Sequence, residues 1–241
     1  MTDIFITSFF RKDFTEKTLQ YIYDRTEKNT YNIHLYDNGS DKETRDFLYG
    51  LLEKSEITSL TLDSRNTGCL YNKGIYHMMA LASSAYYVIS DNDVFPPKLT
   101  PDWLSQMTLI MDNHPELALL TPQLPPTQFQ RPYEVKEDIV YAEAVGNTFK
   151  MIRREAIPIE KFKPQLMAFG DDGFVSKEVK EKGWKIAFCR NIFCYHAGQC
   201  ENWGYAQEQI SKDPRKTGYG KPFEYKIINE DTYEPEGKWK V

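Results

Sequence analysis

Tyr86-Tyr87-Val88-Ile89-Ser90-Asp91-Asn92-Asp93 is the stretch on which the fold of this chain turns. A short apolar run bounded by polar residues predicts a buried strand. This one stops at two carboxylates separated by one residue. In an open α/β sheet, ligands sit beyond the carboxyl ends of the strands. Two acids there make a hard oxygen site for Mg²⁺ or Mn²⁺, above all for an ion shared with phosphates. The same residues also fit an ordinary surface turn that carries two Asp, so the flanking sequence has to decide.

Upstream, the pattern is repetitive. Ile4 to Phe9 is a compact apolar run and predicts a first, central strand. Asp13, three residues before Glu16, predicts a helix start, and Leu19, Ile22 and Tyr23 supply its apolar stripe. Ile33 to Tyr36 predicts a second strand, ending at the turn-forming Asp37-Asn38-Gly39-Ser40. Ser40 and Glu43 have capping-box spacing, opening a helix with Phe47, Leu48, Leu51 and Leu52 inward. Ile57 to Leu62 reads as a third strand, Asn66-Thr67-Gly68 as a turn, and Ile75, Met78, Met79 and Ala82 as the inner face of a third helix. Strand and helix thus alternate three times before the acid-tipped strand, the pattern of a parallel, doubly wound α/β sheet. Polar clusters follow each of the four strands on one edge.

Downstream, the rhythm changes. Thr100-Pro101-Asp102 places a cap at Thr100 and Pro at the first helical position, with Trp103, Met107 and Ile110 continuing inward. Leu117 to Thr121 predicts a strand, and Pro122 to Pro132 an irregular exposed loop. Val140 to Val145 and Thr148 to Ile152 are strand-like around Gly146-Asn147. Phe169-Gly170-Asp171-Asp172-Gly173 precedes a helix carrying Phe174, Val175 and Val179 and capped by Gly183. Trp184 to Phe188 and Ile192 to His196 read as two short strands. From Glu201 the chain is polar and rich in Tyr, Lys and Gly, a tail in preference to a lid.

Composition narrows the function classes. The 241 residues suit one large α/β domain or two small ones. With 41% hydrophobic and 14% aromatic residues, a packed core is expected and wholesale disorder is not. A net charge of −5 with interspersed signs argues against a nucleic-acid binder. Met78 to Ile89, broken by Ser83 and Ser84, is too short to span a bilayer, and no signal-peptide pattern opens the chain. A soluble, cytoplasmic protein is expected. Four Cys do not suggest a disulfide scaffold.

Six pieces then stand in order. They are Phe5 to Phe9, then Tyr36 to Ser40, then Asn66-Thr67-Gly68 with Asn72-Lys73-Gly74. Asp91-Asn92-Asp93 follows, then Val145 to Thr148 with Arg153-Arg154-Glu155, and finally Phe169 to Asp172 with Cys194-Tyr195-His196. Together they resemble the inverting, metal-dependent nucleotide-sugar glycosyltransferases of the GT-A fold, most closely family 2, from about Ile4 to about Gly198. The resemblance implies one GT-A domain over residues 1–200. Residues 1–99 would be its nucleotide-sugar-binding half, 100–200 its acceptor and catalytic half, and 201–241 a tail or lid.

By that resemblance, Thr7, Ser8 and Phe9 touch the nucleotide and Asp37 bonds the base. Asn66, Gly68 and Asn72 lie around the ribose and phosphates, and Asp91 and Asn92 join the donor site. Asp93, Asp91 and His196 would hold Mn²⁺ or Mg²⁺. Val145 to Thr148 would form an acceptor-side hairpin. Asp172 would be the general base, with Asp171, where Glu is commoner, as a neighbouring acceptor contact. Tyr71 stands where many members carry a basic residue. The implied partners are a UDP-, GDP- or dTDP-sugar and a hydroxyl acceptor such as a glycan.

Two other function classes compete. A haloacid-dehalogenase-type phosphohydrolase would use Asp91 and Asp93, with Thr121, Lys150 and Gly170-Asp171-Asp172 as later motifs. Its nucleophile normally follows the first strand of its domain, whereas three strand–helix units come first here. A non-catalytic nucleotide-sugar-binding relative would keep the fold without turnover. Cys189, Cys194, His196 and Cys200 lack the paired spacing of a zinc site. Trp184 and Trp203 fit packing as well as acceptor stacking.

Overall fold

The computed structural model describes residues 1–64, 73–124, 132–146, 148–157, 171–197, 227–229 and 232–233. Strands β1 (Thr2–Ser8), β2 (Tyr31–Asp37), β3 (Ser59–Leu62) and β4 (Tyr86–Asp91) form the parallel part of a nine-stranded sheet. Their connecting helices are α1 (Lys12–Arg25), α2 (Lys42–Glu53) and α3 (Lys73–Leu81). The two-residue β5 (Val94–Phe95) follows β4, and α4 (Trp103–Asn113) follows β5. The second part comprises β6 (Leu117–Gln123), β7 (Pro132–Val135), β8 (Ile139–Ala142), β9 (Phe149–Arg153), α5 (Asp171–Glu181), β10 (Lys185–Phe193) and β11 (Tyr195–His196). Short strands β12 (Ile227–Asn229) and β13 (Thr232–Tyr233) pair with each other.

The order across the large sheet is β3-β2-β1-β4-β9-β6-β10-β8-β7. The chain steps outward from β1 to β3, then returns to the far side of β1 as β4. The carboxyl edge between β1 and β4 is therefore a topological switch point, where such sheets open a crevice for ligands. Beyond β4 the sheet is mixed: β9 runs antiparallel to both β4 and β6, whereas β6 and β10 are parallel.

Alternation along β1 explains the layers. Ile4 and Ile6 face one core with Leu19, Ile22, Leu48, Leu51 and Trp103 from α1, α2 and α4. Phe5 faces the other with Met78, Met79, Val175 and Val179 from α3 and α5. A strand buried on both faces reads as a continuous apolar run, and β1 does. Trp103 is fully buried, as its helical spacing predicts, and its indole N–H donates to Thr26 Oγ1 at 2.9 Å.

Several local expectations are corrected. Helix α1 starts at Lys12 after a left-handed Arg11 whose side chain makes no capping hydrogen bond, so Asp13 lies inside the first turn. Asp41, not Ser40, caps α2 by accepting from Thr44 N–H, because Ser40 Oγ is taken by Phe10 N–H at 2.8 Å. Asp102, not Thr100, caps α4. Leu52 is exposed rather than inward. Pro122 and Gln123 belong to buried β6, not a loop, since Gln123 Nε2 donates to the carbonyls of Cys189 and Arg190. Trp184 to His196 holds one long strand and a short one, the long one kinked by a register shift between Phe188 and Phe193. Among the described residues, β8 pairs with β7 and β10 and β9 with β4 and β6, so Val145 to Thr148 does not link two strands paired with each other. Gly183 does close α5 as expected, at φ +86° with its N–H on the Lys180 carbonyl. Most of 201–241 lies outside the described residues.

Candidate functional site

Asp91 is the last residue of β4, and its N–H donates to the Thr148 carbonyl at 2.8 Å. Two residues on, Asp93 leads into β5, which pairs antiparallel with β11 so that His196 lies opposite Val94. Ala197 N–H donates to the Asp93 carbonyl at 2.9 Å, locking the two short strands together. A histidine from late in the chain is thereby fixed beside the acid pair. One ligand atom each from Asp91, Asp93 and His196 lies within 4.8 Å of the others. Asp93 and His196 are each 1% exposed, whereas Asp91 is half-buried.

The two oxygens of Asp93 have different fates. Oδ2 accepts from Arg11 Nη1 at 2.6 Å. Oδ1 is buried, accepts no hydrogen bond among the described residues, and faces His196 Nε2 at 3.5 Å. Burial pushes the carboxyl up, but His196 and the Arg11 guanidinium outweigh it and hold the group well below the usual carboxylate range. A buried, ionised oxygen whose nearest partner is an imidazole at 3.5 Å is costly unless something positive meets it more closely. Two carboxylates and an imidazole form a donor set that suits a divalent ion of the Mn²⁺ type.

Asp37, at the end of β2, repeats the theme. It is fully buried; Oδ2 accepts from Ser40 N–H and Arg45 Nε, both at 3.1 Å, and Oδ1 accepts no hydrogen bond among the described residues. Arg45 also donates to the Asp63 carbonyl, and Tyr36 OH donates to Asp63 Oδ2 at 2.8 Å. A Cβ on Gly74 would meet the Tyr36 ring at 2.8 Å, so the close seat of α3 on this corner requires glycine.

Two other expected contacts, Asn92 and Ser8, turn inward. Asn92 is 1% exposed; its Oδ1 accepts from Arg11 Nη2 at 2.9 Å, and its amide donates to Thr15 Oγ1 at 2.8 Å and the Phe10 carbonyl at 3.3 Å. Ser8 is buried with Oγ 3.5 Å from Thr15 Oγ1. Thr7 is half-buried beside Met78, and Phe9 packs edge-on against Phe10. Asn66, Gly68, Tyr71 and Asn72 lie outside the described residues. Asp171 and Asp172 form the first turn of α5, but their side chains lie outside the described set. Cys189 and Cys194 are core residues whose thiols burial pushes up, and Cys200 is outside the described residues. Trp184 packs partly buried against the core beside Arg153, while Trp203 is outside.

Sequence reasoning missed Arg11. Its only signal is a basic residue between β1 and α1, on the edge that carries the acids. It missed Arg45 as well, one turn into α2 and too far along the chain from Asp63 for any spacing rule to link them.

No family model matches the sequence, and no curated protein matches it. Solved structures do match in fold. GalNAc-T7 with UDP, GalNAc and Mn²⁺ superposes with TM-score 0.66 at 14% identity, over 81% of this chain and 43% of that one. The mannosyltransferase PcManGT from Pyrobaculum calidifontis, in complex with GDP-Man and Mn²⁺, gives 0.65 at 15% identity, over 88% and 60%. S. aureus TarS 1-349 in complex with UDP-GlcNAc gives 0.62 at 12% identity, over 81% and 58%. The chain thus spans between 43% and 60% of the length of these structures. No helix among the described residues is long and apolar enough to cross a membrane. With its mostly parallel first half, its acid-tipped β4 and the β5–β11 pair behind it, this α/β chain has the GT-A fold.

Proposed function

We propose that this protein is a metal-dependent, inverting glycosyltransferase that moves a sugar from a nucleoside-diphosphate donor to a hydroxyl acceptor. The observation that carries the reading is the convergence of Asp91, Asp93 and His196 at the switch-point edge of the sheet. Asp93 Oδ1, Asp91 and His196 Nε2 are the atoms that would hold the ion. A divalent cation bound there supplies Lewis-acid neutralisation of a diphosphate leaving group.

The chain's own residues do the rest. Asp37, whose Oδ1 accepts no hydrogen bond among the described residues, accepts a base N–H. Thr7 and Phe9 line the approach to the nucleotide, and Asn92 and Ser8 support it from behind. Asn66, Gly68 and Asn72 contact the ribose and phosphates. Asp172 takes the acceptor hydroxyl proton as that oxygen attacks the anomeric carbon, so no covalent sugar–enzyme intermediate is needed. Asp171 positions the acceptor beside it. Residues 1–99 serve the donor and 100–200 the acceptor. The neighbours that carry UDP, GDP-Man or UDP-GlcNAc support this assignment of partner class.

A thermal-shift panel of UDP-, GDP- and dTDP-sugars with and without Mn²⁺ tests the reading. One donor should stabilise the protein in the presence of the ion, by mass action on the folded state. No donor shifting the melting temperature would refute it. Asp172→Ala should lower transfer by about three orders of magnitude while donor binding persists; near-wild-type transfer would remove Asp172 from the base role. Donor binding without transfer across an acceptor panel would instead mark a non-catalytic relative.

A further inference from the structure

We propose that Arg11 is a built-in counter-cation of the Asp91–Asp93–His196 cluster. It fixes Asp93 for ligation through Oδ1 alone and weakens the cluster's hold on a free divalent ion, so that the ion binds tightly only together with a diphosphate. This inference rests on the metal-and-diphosphate reading above.

The geometry is specific. The Arg11 guanidinium spans both residues of the β4–β5 turn, with Nη1 on Asp93 Oδ2 at 2.6 Å and Nη2 on Asn92 Oδ1 at 2.9 Å. Its side chain is 8% exposed and lies over the Phe14 ring at 5.5 Å. Phe10 and Arg11 both adopt left-handed backbone, at φ +53° and +52°, which non-glycine residues rarely do. Such strain persists where the surroundings over-determine it. Here Phe10 is pinned at both ends, its N–H by Ser40 Oγ at 2.8 Å and its carbonyl by Asn92 Nδ2 at 3.3 Å. The chain thus bends through a disfavoured corner and delivers a cation into a site whose ligands are acids.

The charge count gives the consequence. The two carboxylates bring a charge of −2 to the cluster, and Arg11 reduces it to −1. The positive end of α1, which begins at Lys12, adds to the same side. Charges a few ångströms apart in a dry site couple strongly. A free dication therefore meets a half-neutralised cluster, and a diphosphate restores the missing negative charge. Arg11 keeps Oδ2 throughout, leaving Oδ1 directed at His196. Arg11 is in this sense a positioning residue.

Electron paramagnetic resonance of Mn²⁺ on the full chain tests this without any activity measurement. Wild type, Arg11→Lys and Arg11→Gln are titrated with Mn²⁺ alone and with UDP, GDP or dTDP. Wild type should bind Mn²⁺ about tenfold more tightly with one of the nucleotides than without. Arg11→Gln should bind Mn²⁺ alone about tenfold more tightly than wild type and lose most of that coupling. Arg11→Lys, which keeps the charge, should stay within about threefold of wild type. Unchanged or weaker Mn²⁺ binding by folded Arg11→Gln would make Arg11 a structural staple only and overturn the proposal. Should that variant not fold, the wild-type coupling decides: equal affinity with and without every nucleotide overturns it. Wild type that binds no Mn²⁺ under either condition removes the metal reading itself, and this inference with it.

Discussion

Asp3 and Asp93 sit at opposite ends of the same sheet, one at the start of β1 and one just past the end of β4. Both are nearly inaccessible, at 2% and 1% exposure. Both carboxyls are held well below their usual range against the opposing push of burial. Their surroundings differ. Asp3 Oδ2 accepts from the N–H and hydroxyl of Ser83 and of Ser84, at 2.8 to 3.1 Å. Its Oδ1 accepts from Asn32 Nδ2 at 3.1 Å and faces His34 Nε2 at 3.3 Å. Asp93 has one oxygen on Arg11, while the other accepts no hydrogen bond among the described residues and faces the His196 imidazole at 3.5 Å. Burial and a depressed carboxyl are common to both and separate nothing. What separates a fixture of the fold from a candidate ligand is whether both oxygens are filled.

The sharpest way to break this contrast is Asp93→Asn, whose carbonyl can still accept from Arg11. Calorimetry should show Mn²⁺ affinity lowered by at least about 100-fold, with transfer falling alongside. Retained Mn²⁺ binding would place the ion elsewhere. Asp3→Asn should do the reverse, costing about 3 kcal/mol in urea denaturation because several buried donors lose their acceptor. Mn²⁺ affinity should stay at the wild-type value, and a drop would mean that the two ends of the sheet are coupled. Acid titration sharpens the point. An unfolded Asp titrates near pH 4. With its folded carboxyl held lower, Asp3 contributes in full above that pH, and its contribution is lost as pH falls below it. Stability should therefore fall more steeply below about pH 4 in wild type than in Asp3→Asn. The smallest effect is expected from His196→Gln, which leaves two acid ligands in place. Mn²⁺ should weaken by about tenfold, and no change would reduce the cluster to its acid pair.

A similar divide governs what could be read from the sequence. The parallel half was legible because each crossover is local: an apolar strand, a turn, an amphipathic helix, then the next strand. The acid pair and His196 were legible by resemblance, and the β5–β11 pairing brings them together. The second half was harder, because its strands carry buried polar residues. Arg153 lies inside β9 because its guanidinium serves the carbonyls of Leu117, Met111 and His114. Gln123 extends β6 because a register shift in β10 offers it two carbonyls. Local pattern rules see polar residues there and end the strand. The helix caps went astray for the same reason: Ser40 was claimed by Phe10, thirty positions earlier in the chain. Arg11 was invisible because no periodicity announces a left-handed corner.

Only Cys194 separates β10 from β11, and its N–H is already spent on the Gln123 carbonyl at 2.9 Å. His196 therefore has no slack to the nine-stranded sheet. Side chains alternate along a strand, so inserting or deleting a single residue between Phe193 and Tyr195 would present Tyr195 or Ala197 where the imidazole now stands. That segment should tolerate substitution far better than any change in length, and the spacing itself is a part of the site.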